Sequence, residues 1–233
     1  MCPDDATWTA HPALEKDGLV HGVCSLTSLE LRSDRDRARS VMASRLARHG
    51  VVFSVRQVHG TDIAVAPCDR PEADGVIVAH PGEIAMVETA DCMPLLMVDT
   101  SAHLAAAVHA GWRGTAQGIA QRAVAELGAL GADPSRVQVL LGPAIGACCY
   151  EVGADLRDAF LPVDQVHFRG RHPHLDLRAA NVAQLLREGL RPNNIHHLEI
   201  CTACSPSRYP SYRRDGPGCG RLFSLVGWIA CER

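Results

Sequence analysis

Three residues whose side chains bind metals or carry protons, His59, Cys92 and His109, each follow an apolar run of the chain. Imidazole and thiolate suit zinc, and three protein ligands leave a fourth position for water or substrate. Zinc held in this way lowers the pKa of water to about 7, which makes a nucleophile at neutral pH. The spacings of 33 and 17 residues match no compact zinc module. The same side chains support a second chemistry, in which Cys92 attacks a carbonyl carbon after His109 withdraws its proton. The two readings differ at His59, which a metal needs as an equal partner and a Cys–His dyad does not. Asp91, beside Cys92, is a candidate proton carrier or an orienter of a ligating histidine.

Further polar clusters lie along the chain. Gly111-Trp112-Arg113-Gly114 opens a helix, where unpaired N–H groups beside Arg113 favour an anion; it is equally an ordinary strand–helix connection. In Ser211-Tyr212-Arg213-Arg214-Asp215-Gly216, the side chains of Tyr212, Arg213 and Arg214 can hold an oxyanion or a base ring, or form a solvated loop with an Arg–Asp pair. Arg56 is a further candidate for holding phosphate. Cys201-Thr202-Ala203-Cys204 has C-x-x-C spacing, but no second pair follows at suitable spacing, which favours structural or incidental cysteines. Ten cysteines are present; most are expected as small buried hydrophobes in a reducing compartment.

Elements must position these groups. Apolar runs predict strands over 51–55, 63–65, 75–78, 84–87, 95–98, 104–108, 137–141, 198–200 and 222–226. Helices are predicted over 33–48, where Ser33 and Asp34 offer caps, and over 115–130 and 176–190. Strands and helices mix without strict alternation. The expected class is therefore α/β or mixed α+β, a single domain over 1–233 with a mixed sheet flanked by helices. His59, Cys92 and His109 then fall in loops at strand ends, where a rigid scaffold presents reactive groups.

Composition narrows the function classes. Apolar residues make up 47% of 233 residues, enough for a sizeable core. The formal charge of −3 comes with no long basic block, which argues against nucleic acid as a partner. The acidic N-terminus lacks an apolar run behind it, and no stretch reaches the roughly 18–20 apolar residues of a membrane span. A cytoplasmic enzyme acting on a small molecule, as a monomer or homodimer, is the expectation.

Taken together, several motifs resemble one family. They are Gln57-Val58-His59-Gly60, Ala73-Asp74-Gly75, Thr89-Ala90-Asp91-Cys92-Met93-Pro94 and Val108-His109-Ala110-Gly111-Trp112-Arg113-Gly114. Gly142-Pro143-Ala144-Ile145, Cys149-Tyr150-Glu151-Val152, Asp176-Leu177 before Ala180-Asn181, and Ser211-Tyr212-Arg213-Arg214-Asp215 follow in order. Over roughly 51–228 the chain resembles the YfiH/YlmD family, also called the multicopper polyphenol oxidoreductase (laccase) family. The resemblance implies an α/β domain with zinc in a pocket, held by His59, Cys92 and His109. It implies phosphorolysis of adenosine, inosine, guanosine and methylthioadenosine, and deamination of adenosine, with purine nucleoside and phosphate as partners. It also implies, through a peptidoglycan-editing branch, a Cys–His amidohydrolase acting on a cytoplasmic cell-wall precursor. A copper oxidase activity is attributed to the family too, but only one His-Cys-His set is visible where such an oxidase needs several copper centres. A metal-holding protein without turnover is the third reading. The chain departs from the family at its N-terminus, where the Gly-rich segment before Ser33 is shortened and its Arg is absent.

Overall fold

The apolar runs become strands because most of them are covered on both faces. A computed structural model describes residues 6–26, 34–153, 156, 159–160, 166–169 and 172–230. Its strands are β1 (Ala6–Thr9), β2 (Leu19–Leu26), β3 (Val51–Ser54), β4 (Ile63–Val65), β5 (Gly75–Val78), β6 (Glu83–Thr89), β7 (Met93–Asp99), β8 (Leu104–Ala110), β9 (Gln138–Leu141), β10 (Val166–Arg169), β11 (His172–Leu175), β12 (Ile195–His197) and β13 (Leu222–Trp228). The helices are α1 (Arg35–Leu46), α2 (Trp112–Ala116), α3 (Ile119–Ala129), α4 (Leu177–Arg187) and α5 (Tyr212–Asp215).

The class is mixed α+β, as expected, but the sheet is double. One five-stranded sheet runs β1-β2-β13-β6-β3 and one six-stranded sheet runs β12-β9-β7-β8-β5-β4; β10 and β11 form a separate ribbon. Both large sheets are mixed: β3–β6, β4–β5 and β9–β12 pair in parallel and the other neighbours antiparallel.

Alternate side chains explain the layers. Leu95, Met97, Ala106 and Val108 face α3 and α4. Leu96, Val98, Ala105 and Ala107 face the other way, onto Ala85, Val87, Val226 and Trp228 of the five-stranded sheet. That sheet's outer face, with Ile84, Met86, Phe223 and Leu225, takes Ala38, Met42 and Leu46 of α1. The order is helix, sheet, sheet, helices. A strand buried on both faces reads as a continuous apolar run, so the run does not tell whether a helix or a second sheet covers it.

Local chemistry sets the ends. Asp34 caps α1, accepting the Arg37 N–H at 2.9 Å, and Asp176 caps α4 through the Ala179 N–H at 2.9 Å; Ser33, the other expected cap, lies outside the described residues. The helix expected over 115–130 is two, because Gly118 adopts φ +86, a left-handed conformation that breaks the ladder. The strand expected over 198–200 falls earlier, as β12 at Ile195–His197, where Ile195 is buried against the helical layer. Strands β1 and β2 and the ribbon β10–β11 were not predicted. Among the described residues, no helix is long and apolar enough to cross a membrane.

Candidate functional site

His59, Cys92 and His109 meet where the chain crosses between the two sheets. Loop 55–62 carries His59 from β3 to β4, and the tight turn 90–92 carries Cys92 from β6 to β7. His109 is not in a loop: it stands inside β8, one residue from its end, opposite Pro94. Gln57 fixes the first crossing by mimicking a strand neighbour. Its side-chain amide donates to the Glu88 carbonyl at 2.7 Å and accepts the Glu88 N–H at 2.8 Å. Both crossings use left-handed residues, His59 at φ +63 and Asp91 at φ +81, conformations that cost energy and persist only where the surroundings hold them.

Asp74 holds them. Its carboxylate is fully buried and accepts four hydrogen bonds: His59 N–H at 2.9 Å, Gly60 N–H at 2.6 Å, Val58 N–H at 3.2 Å and His109 Nδ1 at 2.8 Å. Burial pushes this carboxyl up, but the His109 ring and the loop N–H groups outweigh it and hold it below the ordinary carboxylate range. One side chain thus orients two of the three reactive residues. With Nδ1 engaged, His109 has only Nε2 left to offer. The motif Ala73-Asp74-Gly75 does not by itself reveal this role. The available signal was an acid immediately before a wholly buried run.

The ligand atoms of His59, Cys92 and His109 all lie within 4.8 Å of one another. The rings of His59 and His109 stand edge to face with centroids 4.8 Å apart. Burial opposes ionisation of Cys92, yet the two imidazoles beside it bring the thiol down to about 6. His109 is correspondingly held up at about 9, burial being outweighed by the sulfur and by Asp74. A metal fits this set on a steric ground as well. A Cβ on Gly111 would lie 2.9 Å from His59 Cδ2, 3.1 Å from Cys92 Sγ and 3.6 Å from His109 Cε1. Only a glycine leaves the space the three residues close around, although its φ of −73 suits any residue.

All three line a cleft of about 780 Å³, a size that takes a small organic ligand. Arg56, Arg113, Tyr212 and Arg213, singled out from sequence, line it too, and Arg35, Arg39, Arg70 and Arg221 add to the positive rim. Several are already engaged: Arg39 with Glu88 at 2.5 Å, Arg56 with Glu72 at 2.8 Å, and Arg213 with the Glu151 carbonyl at 2.9 Å. Arg113 stacks over Trp112 at 4.3 Å and Arg213 over Tyr150 at 5.1 Å.

Two expected roles change. Arg214 does not line the cleft; it donates to the Thr202, Ala203 and Tyr209 carbonyls and pairs with Asp215 at 2.6 Å. Asp91 reaches the cleft, but its oxygens accept from Thr202 Oγ1 at 2.5 Å, Ser211 Oγ at 3.0 Å and the Arg213 N–H at 2.6 Å. It braces the segment that presents Tyr212 and Arg213, and Asp74, not Asp91, is bonded to a histidine of the cluster. The helix opened by Gly111 is only five residues long, so its N-terminus gives no separate anion site. Of the eight described cysteines only Cys24 and Cys219 are buried, against the expectation that most would be.

Residues 27–229 match the family model described as multi-copper polyphenol oxidoreductase laccase. A protein of Xylella fastidiosa (strain Temecula1 / ATCC 700964) named purine nucleoside phosphorylase is 34% identical over 229 residues, covering 92% of this chain and 86% of that one. A protein of an unknown prokaryotic organism named adenosine deaminase RL5 is 36% identical over 193 residues, covering 73% and 72%. The crystal structure of YlmD from Geobacillus stearothermophilus superposes with a TM-score of 0.83 at 29% identity, covering 97% of this chain and all of that one. The chain therefore belongs to the multi-copper polyphenol oxidoreductase laccase family.

Proposed function

We propose that the cleft is a zinc-dependent purine nucleoside site that phosphorolyses adenosine, inosine, guanosine and methylthioadenosine and deaminates adenosine. The observation that carries this reading is the convergence of His59, Cys92 and His109 within 4.8 Å on a cleft rimmed by arginines and aromatic rings. The names of the two relatives support the substrate class. His59, Cys92 and His109 would hold the metal. When bound, zinc supplies Lewis acidity and lowers the pKa of water in the site. A His₂Cys set also occurs in electron-transfer copper sites, which add a weak axial methionine, glutamine or backbone oxygen; among the described residues lining this cleft there is no methionine, and the Gln57 amide is taken up by the Glu88 backbone at 2.7 and 2.8 Å, which favours zinc.

The chain's own residues do the rest. Trp112, Tyr150 and Tyr212 line the cleft, and the exposed Tyr212 ring is the one free to stack on a purine. Arg113, Arg213 and Arg56 supply fork-shaped donors for phosphate. In phosphorolysis a phosphate oxygen bonds to C1′ of the ribose, the C–N glycosidic bond breaks, and the purine nitrogen keeps the electron pair and takes a proton. Asp74 fixes the orientation of His109 and of the His59 loop throughout. The test is product analysis on the zinc-loaded protein. Adenosine should give adenine and ribose 1-phosphate only when phosphate is present, and inosine without it. Failure to turn over any of the four nucleosides would sink the reading.

One arrangement favours a second reading. Cys92, His109 and Asp74 stand in series, the sulfur within 4.8 Å of the ring and the ring hydrogen-bonded to the carboxylate at 2.8 Å. That is the order of a nucleophile, its base and the base's orienter, as an amidohydrolase acting on a peptidoglycan precursor would use it. Such an enzyme forms a covalent adduct on Cys92 and does not need the His59 imidazole.

A further inference from the structure

A second cluster of metal-binding atoms lies outside the cleft, among residues that neither reading of the site uses. Cys148 and Cys149 sit in the tight turn after the 143–146 loop, where the Cys149 and Tyr150 N–H groups both return to the Gly146 carbonyl, at 2.9 and 3.0 Å. Cys201 and Cys204 form the C-x-x-C turn. The chain brings the pairs together through backbone pairing of the two loops: Ala144 N–H donates to the Ile200 carbonyl at 3.3 Å, and Thr202 N–H to the Ala144 carbonyl at 3.0 Å. All four sulfurs lie within 4.8 Å of one another.

The distances have a chemical meaning. Cys148 Sγ is 3.7 Å and Cys149 Sγ 3.3 Å from Cys204 Sγ. A disulfide needs about 2.05 Å, so these are not bonded pairs. Four sulfurs each about 2.3 Å from a central zinc are spaced at tetrahedral edges of about 3.8 Å. The backbone is also arranged as it is around thiolate ligands. Gly146 N–H donates to Cys201 Sγ at 3.3 Å, and a Cβ on Gly146 would lie 3.3 Å from Cys148 Sγ and 3.4 Å from Cys201 Cβ. Glycine is what lets that N–H come close beneath the sulfurs. Packing accounts for only half of the cluster: Cys149 and Cys201 lie against the helical core, whereas Cys148 and Cys204 are exposed, unlike thiols used as small hydrophobes.

We infer that Cys148, Cys149, Cys201 and Cys204 form a second metal site, a tetrathiolate site for a soft divalent cation of zinc's size and geometry. Four protein ligands fill the tetrahedron, so the site is structural and has no open position for substrate. Its position gives it work to do. Tyr150, next to Cys149, lines the cleft. Thr202, next to Cys201, donates to Asp91, which in turn holds the backbone of Arg213. A cation here ties together the two loops that present Tyr150 and Arg213 to the cleft.

The test is cobalt and zinc titration of the full chain, prepared metal-free under reducing conditions, with His59→Ala, Cys204→Ser and Cys148→Ser variants alongside. The wild-type chain should take two equivalents of either metal. His59→Ala should keep one, with the strong near-ultraviolet sulfur-to-cobalt absorption of a tetrathiolate. Cys204→Ser should lose that absorption and one equivalent while retaining the metal at His59, Cys92 and His109. Cys148→Ser, altering an exposed side chain, serves as the second probe if Cys204→Ser does not fold. The inference is overturned if the wild-type chain binds one equivalent and Cys204→Ser or Cys148→Ser leaves the cobalt spectrum unchanged. It is equally overturned if mass spectrometry of the protein purified anaerobically without reductant finds these cysteines as disulfides. A wild-type chain that takes only the tetrathiolate equivalent, unchanged by His59→Ala, would count against the cleft reading and leave this one standing.

Discussion

Replacing Gly111 by alanine adds a single methyl group at the centre of the site. Its Cβ would lie 2.9 Å from His59 Cδ2 and 3.1 Å from Cys92 Sγ, where comfortable carbon contacts are about 3.5–4.0 Å. The backbone raises no objection, since φ is −73. The whole effect is therefore steric and falls on the ligands. Overpacking of this kind costs about 1–3 kcal/mol. His59 is exposed and can swing away, whereas Cys92 is held in a tight turn between strands and His109 is buried in β8. Relief through His59 leaves fold stability within about 0.5 kcal/mol and puts the cost on metal binding. At about 1.4 kcal/mol per tenfold, zinc affinity at the cleft should fall by about 5- to 150-fold. Competition against a chromophoric chelator measures the affinity, and a thermal melt of the metal-free protein measures the stability. Wild-type zinc affinity and wild-type nucleoside turnover in Gly111→Ala would refute the claim that the three residues close around one cation.

Other substitutions separate the parts of the account. Asp74→Asn removes the charge that pairs with His109 and leaves one carbonyl oxygen for four donors, so zinc affinity should fall about 10- to 100-fold, as is typical when the partner of a ligating histidine is lost, with stability reduced by about 1–3 kcal/mol from the unmet buried donors; chelator competition and denaturant unfolding read the two effects. Arg113→Ala should raise the phosphate requirement of phosphorolysis at least several-fold and leave phosphate-independent deamination near its original rate, measured by phosphate titration at fixed adenosine. Gly128→Ala, in α3 where a Cβ meets nothing within 4 Å, should raise stability by up to about 1 kcal/mol without changing metal content, which makes it the control for Gly111→Ala.

Much of the site was legible because its metal-binding and proton-carrying residues sit in dense motifs. His59 and His109 stand out near glycines and Cys92 between an aspartate and a proline, all at the ends of apolar runs, and strands β5 to β9 follow from those runs directly. Asp74 was not legible in the same way. Its partners lie 14 to 35 residues away, and nothing in Ala73-Asp74-Gly75 says that a carboxylate will cap a loop and a histidine at once. The double sheet was hidden for a related reason: Leu96 and Val98 look alike in sequence whether a helix or Val226 and Trp228 cover them. Strand β2 carries His21 and Gly22 in its middle, and Gly22 sits at φ +153 beneath the Trp8 ring, which breaks the apolar alternation that would have marked it. The four-cysteine cluster was missed because the partner of Cys201-Thr202-Ala203-Cys204 precedes it by more than 50 residues, as an adjacent pair outside the usual ligand spacing.

The most direct test is the metal content and adenosine turnover of His59→Ala beside Cys92→Ala. If a metal at His59, Cys92 and His109 carries the chemistry, both variants lose the cleft metal and both lose nucleoside turnover. Retention of full catalysis by His59→Ala without that metal, with loss only in Cys92→Ala, would contradict the account and assign the reaction to the Cys92–His109 pair.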